Sequence, residues 1–209
     1  TVTGVQTCAL PISGEAAGHE IGNSLTIADT NQDQQPDLLV GVPGAGDEEE
    51  GGNSGAVFQF PGTSSGFSET ATEIFGGHPT HSSTDHFGEA VRQIGDFNGD
   101  GFADVAVLAS SDSKPSSFDT NYANPEECPG YVEDSGALFI YLGSSTGLSN
   151  TPAFFWTTDI DNAGLYELAG AADHNGDGYD DILVGSYNWS RDPDSDLNEG
   201  AFAILYGRP

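Results

Sequence analysis

Positive charge is almost missing from this chain. Four Lys and Arg residues (Arg92, Lys114, Arg191, Arg208) stand against 33 Asp and Glu, for a formal net charge of -29 at pH 7. Nucleic acid and anionic membrane surfaces are polyanions, so neither is an expected partner. Cations, neutral sugars and basic proteins stay open. Methionine is absent, so no start codon is represented, and we expect the native protein to extend upstream, where any export signal would lie. No stretch approaches the ~20 apolar residues of a membrane-spanning helix. Cysteine is limited to Cys8 and Cys128. Residues 2–12 read as the in-frame translation of a common sequencing adapter, so 1–12 are set aside as non-native. Cys128 is then alone, in the surface-loop composition Asn124-Pro-Glu-Glu-Cys128-Pro-Gly130. Pairing with a segment outside this chain is one fate for it. A catalytic thiol is not expected, because no basic group nearby in sequence would lower its pKa.

What is present is a short acidic pattern in three copies. They are Asp29-Thr-Asn31-Gln-Asp33-Gln-Gln-Pro-Asp37, Asp96-Phe-Asn98-Gly-Asp100-Gly-Phe-Ala-Asp104 and Asp173-His-Asn175-Gly-Asp177-Gly-Tyr-Asp-Asp181. Each places oxygen side chains at positions 1, 3, 5 and 9, as a tight loop does when it turns its ligands around a hard cation such as calcium. Position 7 adds a backbone carbonyl, from Gln35, Phe102 and Tyr179. Gly99, Gly101, Gly176 and Gly178 allow the positive φ such a turn needs. The first copy has Gln34 and Gln35 instead, which predicts a stiffer or slightly distorted loop.

An EF-hand loop would need a bidentate acid at position 12. Here position 12 is Val40, Val107 and Val184, which predicts a buried strand instead. Short apolar runs rich in β-branched residues flank every copy: 24–28 and 38–42, 91–95 and 105–109, 165–170 and 182–185. Such runs, bounded by turn residues, read as strands, so each loop should join a β-hairpin. An acidic β-turn that binds nothing is the bland alternative, since Asp, Asn and Gly are ordinary turn residues. Three copies with the same four oxygens weigh against it.

The loops begin at 29, 96 and 173, and other elements recur in phase with them. Strands opening on Gly-Ala follow at 55–60, 136–141 and 200–206, then Gly-Thr-Ser-Ser-Gly (62–66) or Gly-Ser-Ser-Thr-Gly (143–147), then closing runs at 71–75 and 153–157. Four antiparallel strands per unit is the pattern of a propeller blade. The predicted units are 13–80, 81–160 and 161–209, the last ending before its outer strand.

These features resemble the FG-GAP repeat family, best known from the N-terminal β-propellers of integrin α subunits. Phe87-Gly88 matches the Phe-Gly element, and Asp96 to Asp104 matches the calcium loop fully. Val42-Pro43-Gly44-Ala45, Leu108-Ala109-Ser110 and Gly185-Ser186-Tyr187 occupy the Gly-Ala-Pro element loosely. Ile21-Gly22 and Gly164-Leu165 replace Phe-Gly in the other units. The resemblance implies an all-β fold, three blades forming an open arc of a propeller of about seven. It implies three structural calcium sites and ligand recognition on the face opposite the calcium loops.

That opposite face should carry the long loops 43–54, 110–135 and 186–199, with Phe118, Tyr122, Tyr131, Tyr187, Trp189 and Arg191. Exposed aromatics in long loops suit binding of a protein or carbohydrate. Capping of sheet edges is the equal alternative. His78, His81 and His86 are irregularly spaced, so solvated loop histidines are favoured over a zinc site. His174, at loop position 2, should face outward. No nucleophile elbow, Walker loop or dinucleotide fingerprint occurs, and no enzyme is expected.

The acidic surplus exceeds the loops and also suits solubility in salty surroundings. The reading is a calcium-binding, extracellular or cell-surface propeller with an adhesion or binding role. An accessory module of a secreted hydrolase or phospholipase, or a purely structural repeat, are the alternatives.

Overall fold

The computed structural model describes residues 18–46, 54–76, 85–112, 134–158, 160–191 and 198–209. Cys8, His78, His81, Phe118, Tyr122, Cys128 and Tyr131 lie outside the described residues.

The described chain is all β, without a helix. The first sheet runs β1 (Ser24–Ala28), β2 (Asp37–Val42), β3 (Ala56–Phe60) and β6 (Thr72–Gly76), with neighbours antiparallel. A small ribbon of β4 (Gly62–Thr63) and β5 (Gly66–Phe67) sits between its last two strands in sequence. The second sheet runs β7 (Phe87–Gly95), β8 (Asp104–Ala109), β9 (Ala137–Tyr141) and β10 (Phe154–Thr157), also antiparallel. The third is β11 (Glu167–Ala172), β12 (Asp181–Ser186) and β13 (Ala201–Leu205). In every sheet the acidic loop joins the first two strands, because its turn residues interrupt two apolar runs of strand length. The connection between the second and third strands lies at the other end.

The sheets pack side by side. β7 lies against β1, β2 and β3, and β11 lies against β7. One apolar cluster joins Ala28, Leu39 and Val57 of the first sheet to Phe87, Val91, Val107 and Phe139 of the second. Another joins Ala90, Ile94, Leu108 and Ile140 of the second to Leu168, Ile182 and Val184 of the third. Burying each of the larger of these side chains contributes about 1.5–3 kcal/mol, which makes these seams the main source of stability. Val40, Val107 and Val184 are buried, as position 12 in a strand requires.

The Phe-Gly pair has two distinct tasks. Phe87 packs edge-on against Phe139 and Tyr141, with centroids 5.3 and 6.5 Å away. Gly88, at φ 93°, brings its carbonyl so close to β2 that a Cβ on Gly41 would collide with it. Polar side chains finish the seam: Ser24 Oγ accepts from Val91 N at 2.7 Å, and Thr26 Oγ1 accepts from Gln93 N at 3.0 Å.

Candidate metal-binding loops

All three loops fold into the same cage. The N–H at position 6 donates to the carboxylate at position 1: Gln34 to Asp29 (3.0 Å), Gly101 to Asp96 (2.8 Å) and Gly178 to Asp173 (2.8 Å). The N–H at position 5 donates to the Asn at position 3: Asp33 to Asn31 (3.0 Å), Asp100 to Asn98 (3.2 Å) and Asp177 to Asn175 (2.9 Å). The N–H at position 7 donates to the Asp at position 5: Gln35 to Asp33 (2.8 Å), Phe102 to Asp100 (2.9 Å) and Tyr179 to Asp177 (3.0 Å). Positions 1, 3 and 5 thus gather around one turn of backbone. In the first loop Gln32 and Gln34 adopt φ of 58° and 65°, the left-handed backbone that Gly99, Gly101, Gly176 and Gly178 adopt in the others. The loop therefore keeps its shape without glycine.

Position 9 takes another course. Asp37, Asp104 and Asp181 are buried. One oxygen of each accepts from a glycine N–H beyond the third strand: Gly62 (2.7 Å), Gly143 (2.9 Å) and Gly207 (2.9 Å). The other accepts from position 2: Thr30 Oγ1 (3.5 Å), Phe97 N (2.9 Å) and His174 N (2.8 Å). Gln59 Nε2 also donates to Asp37. These aspartates tie the first hairpin to the end of the third strand. The sequence reading missed this hub; its signal was a glycine shortly after each third strand. A Cβ on any of the three glycines would run into backbone carbonyls, those of Gln35 and Pro36, of Ala103, and of Asp180 respectively.

Charge follows the geometry. Backbone N–H groups, that of Gly178 foremost, hold the Asp173 carboxyl below the usual range. Burial pushes Asp104 up to about 6, against the pull of the Gly143 and Phe97 N–H groups. Asp96 Oδ1 is buried and has no hydrogen-bond partner among the described residues.

Among the described residues no three His, Cys, Asp or Glu side chains are grouped so that they could hold a metal ion. Each loop instead offers two carboxylates and an Asn amide around one turn, with the third carboxylate held by hydrogen-bond donors of the hub. Oxygen-only donors of this kind fit a hard divalent cation. The open oxygen of Asp96 is what such an ion would satisfy. A carboxylate oxygen that accepts one hydrogen bond also keeps a second acceptor site.

At the opposite end, Tyr187 is exposed and stacks on Tyr166 with centroids 4.2 Å apart. Trp189 is half-buried and, with Trp156 and Phe202, lines a cavity of about 390 Å³. Arg191 N donates to Glu199 at 3.0 Å. Burial, and then the Asp85 charge, push the Asp112 carboxyl well above the usual range. His86 Nδ1 lies 3.3 Å from Ser111 Oγ. His174 is exposed.

Residues 21–58 match the FG-GAP repeat family. The chain is 32% identical over 179 residues to integrin alpha-7 of Homo sapiens, covering 84% of this chain and 13% of that protein. It is 29% identical over 192 residues to integrin alpha-IIb of Mus musculus, covering 86% of this chain and 16% of that protein. It is 30% identical over 187 residues to integrin alpha-4 of Xenopus laevis, covering 87% of this chain and 16% of that protein. The chain thus carries an FG-GAP repeat match at residues 21–58 and is similar to integrin alpha subunits over most of its length. It spans 13% to 16% of the length of these relatives. No helix of the described residues is long and apolar enough to cross a membrane.

Proposed function

We propose that this chain is a calcium-stabilised propeller segment of an extracellular or cell-surface adhesion protein, and that it has no catalytic role. Its three sheets are read as blades 13–80, 81–160 and 161–209 in an open arc of a larger propeller. The cation ligands would be Asp29, Asn31, Asp33, Gln35 O and Asp37; Asp96, Asn98, Asp100, Phe102 O and Asp104; and Asp173, Asn175, Asp177, Tyr179 O and Asp181. The observation that carries the reading is the cage around positions 1, 3 and 5, in which the N–H groups of positions 5 and 6 make the same two hydrogen bonds in all three loops. Crowded carboxylates on one turn repel each other, so cation binding and hairpin stability are coupled. Similarity to integrin alpha chains supports the adhesion role. The end opposite the loops, with Tyr187 and the cavity beside Trp189, is the surface for a protein or carbohydrate ligand.

The test is a thermal melt of the chain with calcium, with magnesium and with a chelator. We expect a calcium-specific rise in Tm of several degrees, on the order of 4 °C for every kcal/mol of linkage. Equal Tm in all three conditions, in a sample with a β circular-dichroism signal, would reject the calcium reading.

A further inference from the structure

The three loops touch one another, and the residues that join them lie outside the ligand positions. Asp180, at position 8 of the third loop, reaches the first ligand residue of the second. Its Oδ2 accepts from Asp96 N at 2.9 Å, and its own N–H donates to Asp96 O at 3.1 Å. Gly95, at φ 75°, makes room, since a Cβ there would strike the Asp180 carboxylate. Asp96 is thereby held on both sides of its backbone. Its Oδ2 is engaged by Gly101 N and its Oδ1 stays buried without a hydrogen bond. Position 8 is Pro36 in the first loop and Ala103 in the second, so neither side chain can accept in this way. The first loop reaches the second by another route, from Gln32 Nε2 to the Gly101 carbonyl.

We infer that Asp180 is a positioning residue for the neighbouring loop: it sets the second loop's cation affinity by pre-orienting Asp96. The inference rests on the calcium reading above. A ligand whose backbone is fixed before the ion arrives loses less freedom on binding. The two hydrogen bonds that Asp180 makes to the Asp96 backbone, at 2.9 and 3.1 Å, do the fixing, and the first needs only an acceptor oxygen at the Asp180 position.

Calcium titration of the full chain by NMR tests this, reading the Gly101 amide for the second loop and the Gly178 amide for the third. In Asp180→Ala we expect the Gly101 midpoint to rise about tenfold, the loss of one hydrogen bond. Asp180→Asn keeps an acceptor without the charge, so it should restore most of the wild-type midpoint. Hydrogen exchange at the Asp96 amide, measured without calcium, should speed up in Asp180→Ala and not in Asp180→Asn. A Gly101 midpoint that is the same in Asp180→Ala and wild type would overturn the inference while leaving calcium binding intact. A midpoint in Asp180→Asn as weak as in Asp180→Ala would overturn it too, since bulk charge would then be the cause. No calcium response at any loop of the wild type would reject the calcium reading itself, and the inference with it.

Discussion

Gln34 carries a backbone conformation that its side chain disfavours. At φ 65° it stands where the other loops have Gly101 and Gly178, and Gln32 at φ 58° stands where they have Gly99 and Gly176. A left-handed backbone costs a residue with a Cβ about 1 kcal/mol. Gln34→Gly should therefore stabilise the chain by about 0.5–1 kcal/mol, read as a higher urea midpoint at constant slope. Gln32→Gly should gain less, because its side chain donates to the Gly101 carbonyl and that bond would go with it. A lower midpoint for Gln34→Gly would mean that its side chain has a role that outweighs the strain.

Strand β2 is placed by what one of its residues lacks. Gly41 faces the Gly88 carbonyl on β7, with no room for a Cβ. The obstacle is backbone of the adjoining sheet, which cannot swing aside as a side chain would. Gly41→Ala should cost about 2–3 kcal/mol and lower the Tm accordingly. The related glycine of β12 is a built-in comparison. A Cβ on Gly185 would meet only the Glu167 Cβ, at 3.3 Å. Gly185→Ala should cost under about 1 kcal/mol. Equal losses at the two positions would show that backbone entropy, not the approach of the sheets, decides these sites.

Across the whole molecule the second sheet is shared by both apolar seams. Val91 faces the first sheet, while Ala90 and Ile94 face the third. Loss of β7 would open both seams, so the three sheets should melt together. Ile94 is fully buried, and Ile94→Ala should cost about 2–5 kcal/mol. Urea curves followed by circular dichroism and by Trp fluorescence should coincide in wild type and variant, since Trp156 lies in β10 of the second sheet and Trp189 just after β12 of the third. Separate transitions would show that each sheet folds alone. Apolar side chains also stand exposed at both ends of the row: Leu25 and Ile27 on β1, Leu183 and Phe202 on β12 and β13.

The strands, the hairpins and the turn that gathers positions 1, 3 and 5 are legible in the order of the amino acids. Those depend on neighbours a few residues apart: alternating apolar runs, and the local hydrogen bonds that Asp and Asn make to nearby backbone N–H groups. Ser24–Ala28 was legible to the residue, and the predicted runs beside the second and third loops lie mostly within β7, β8, β11 and β12. Packing between segments far apart in the chain sets what position 9 does. Asp104 meets Gly143 through a fold that brings 104 beside 143. The same packing brings Asp180 to a loop 84 residues away. Contacts of that range arise from how sheets stack, and stacking depends on the summed burial of many side chains, which no local pattern records.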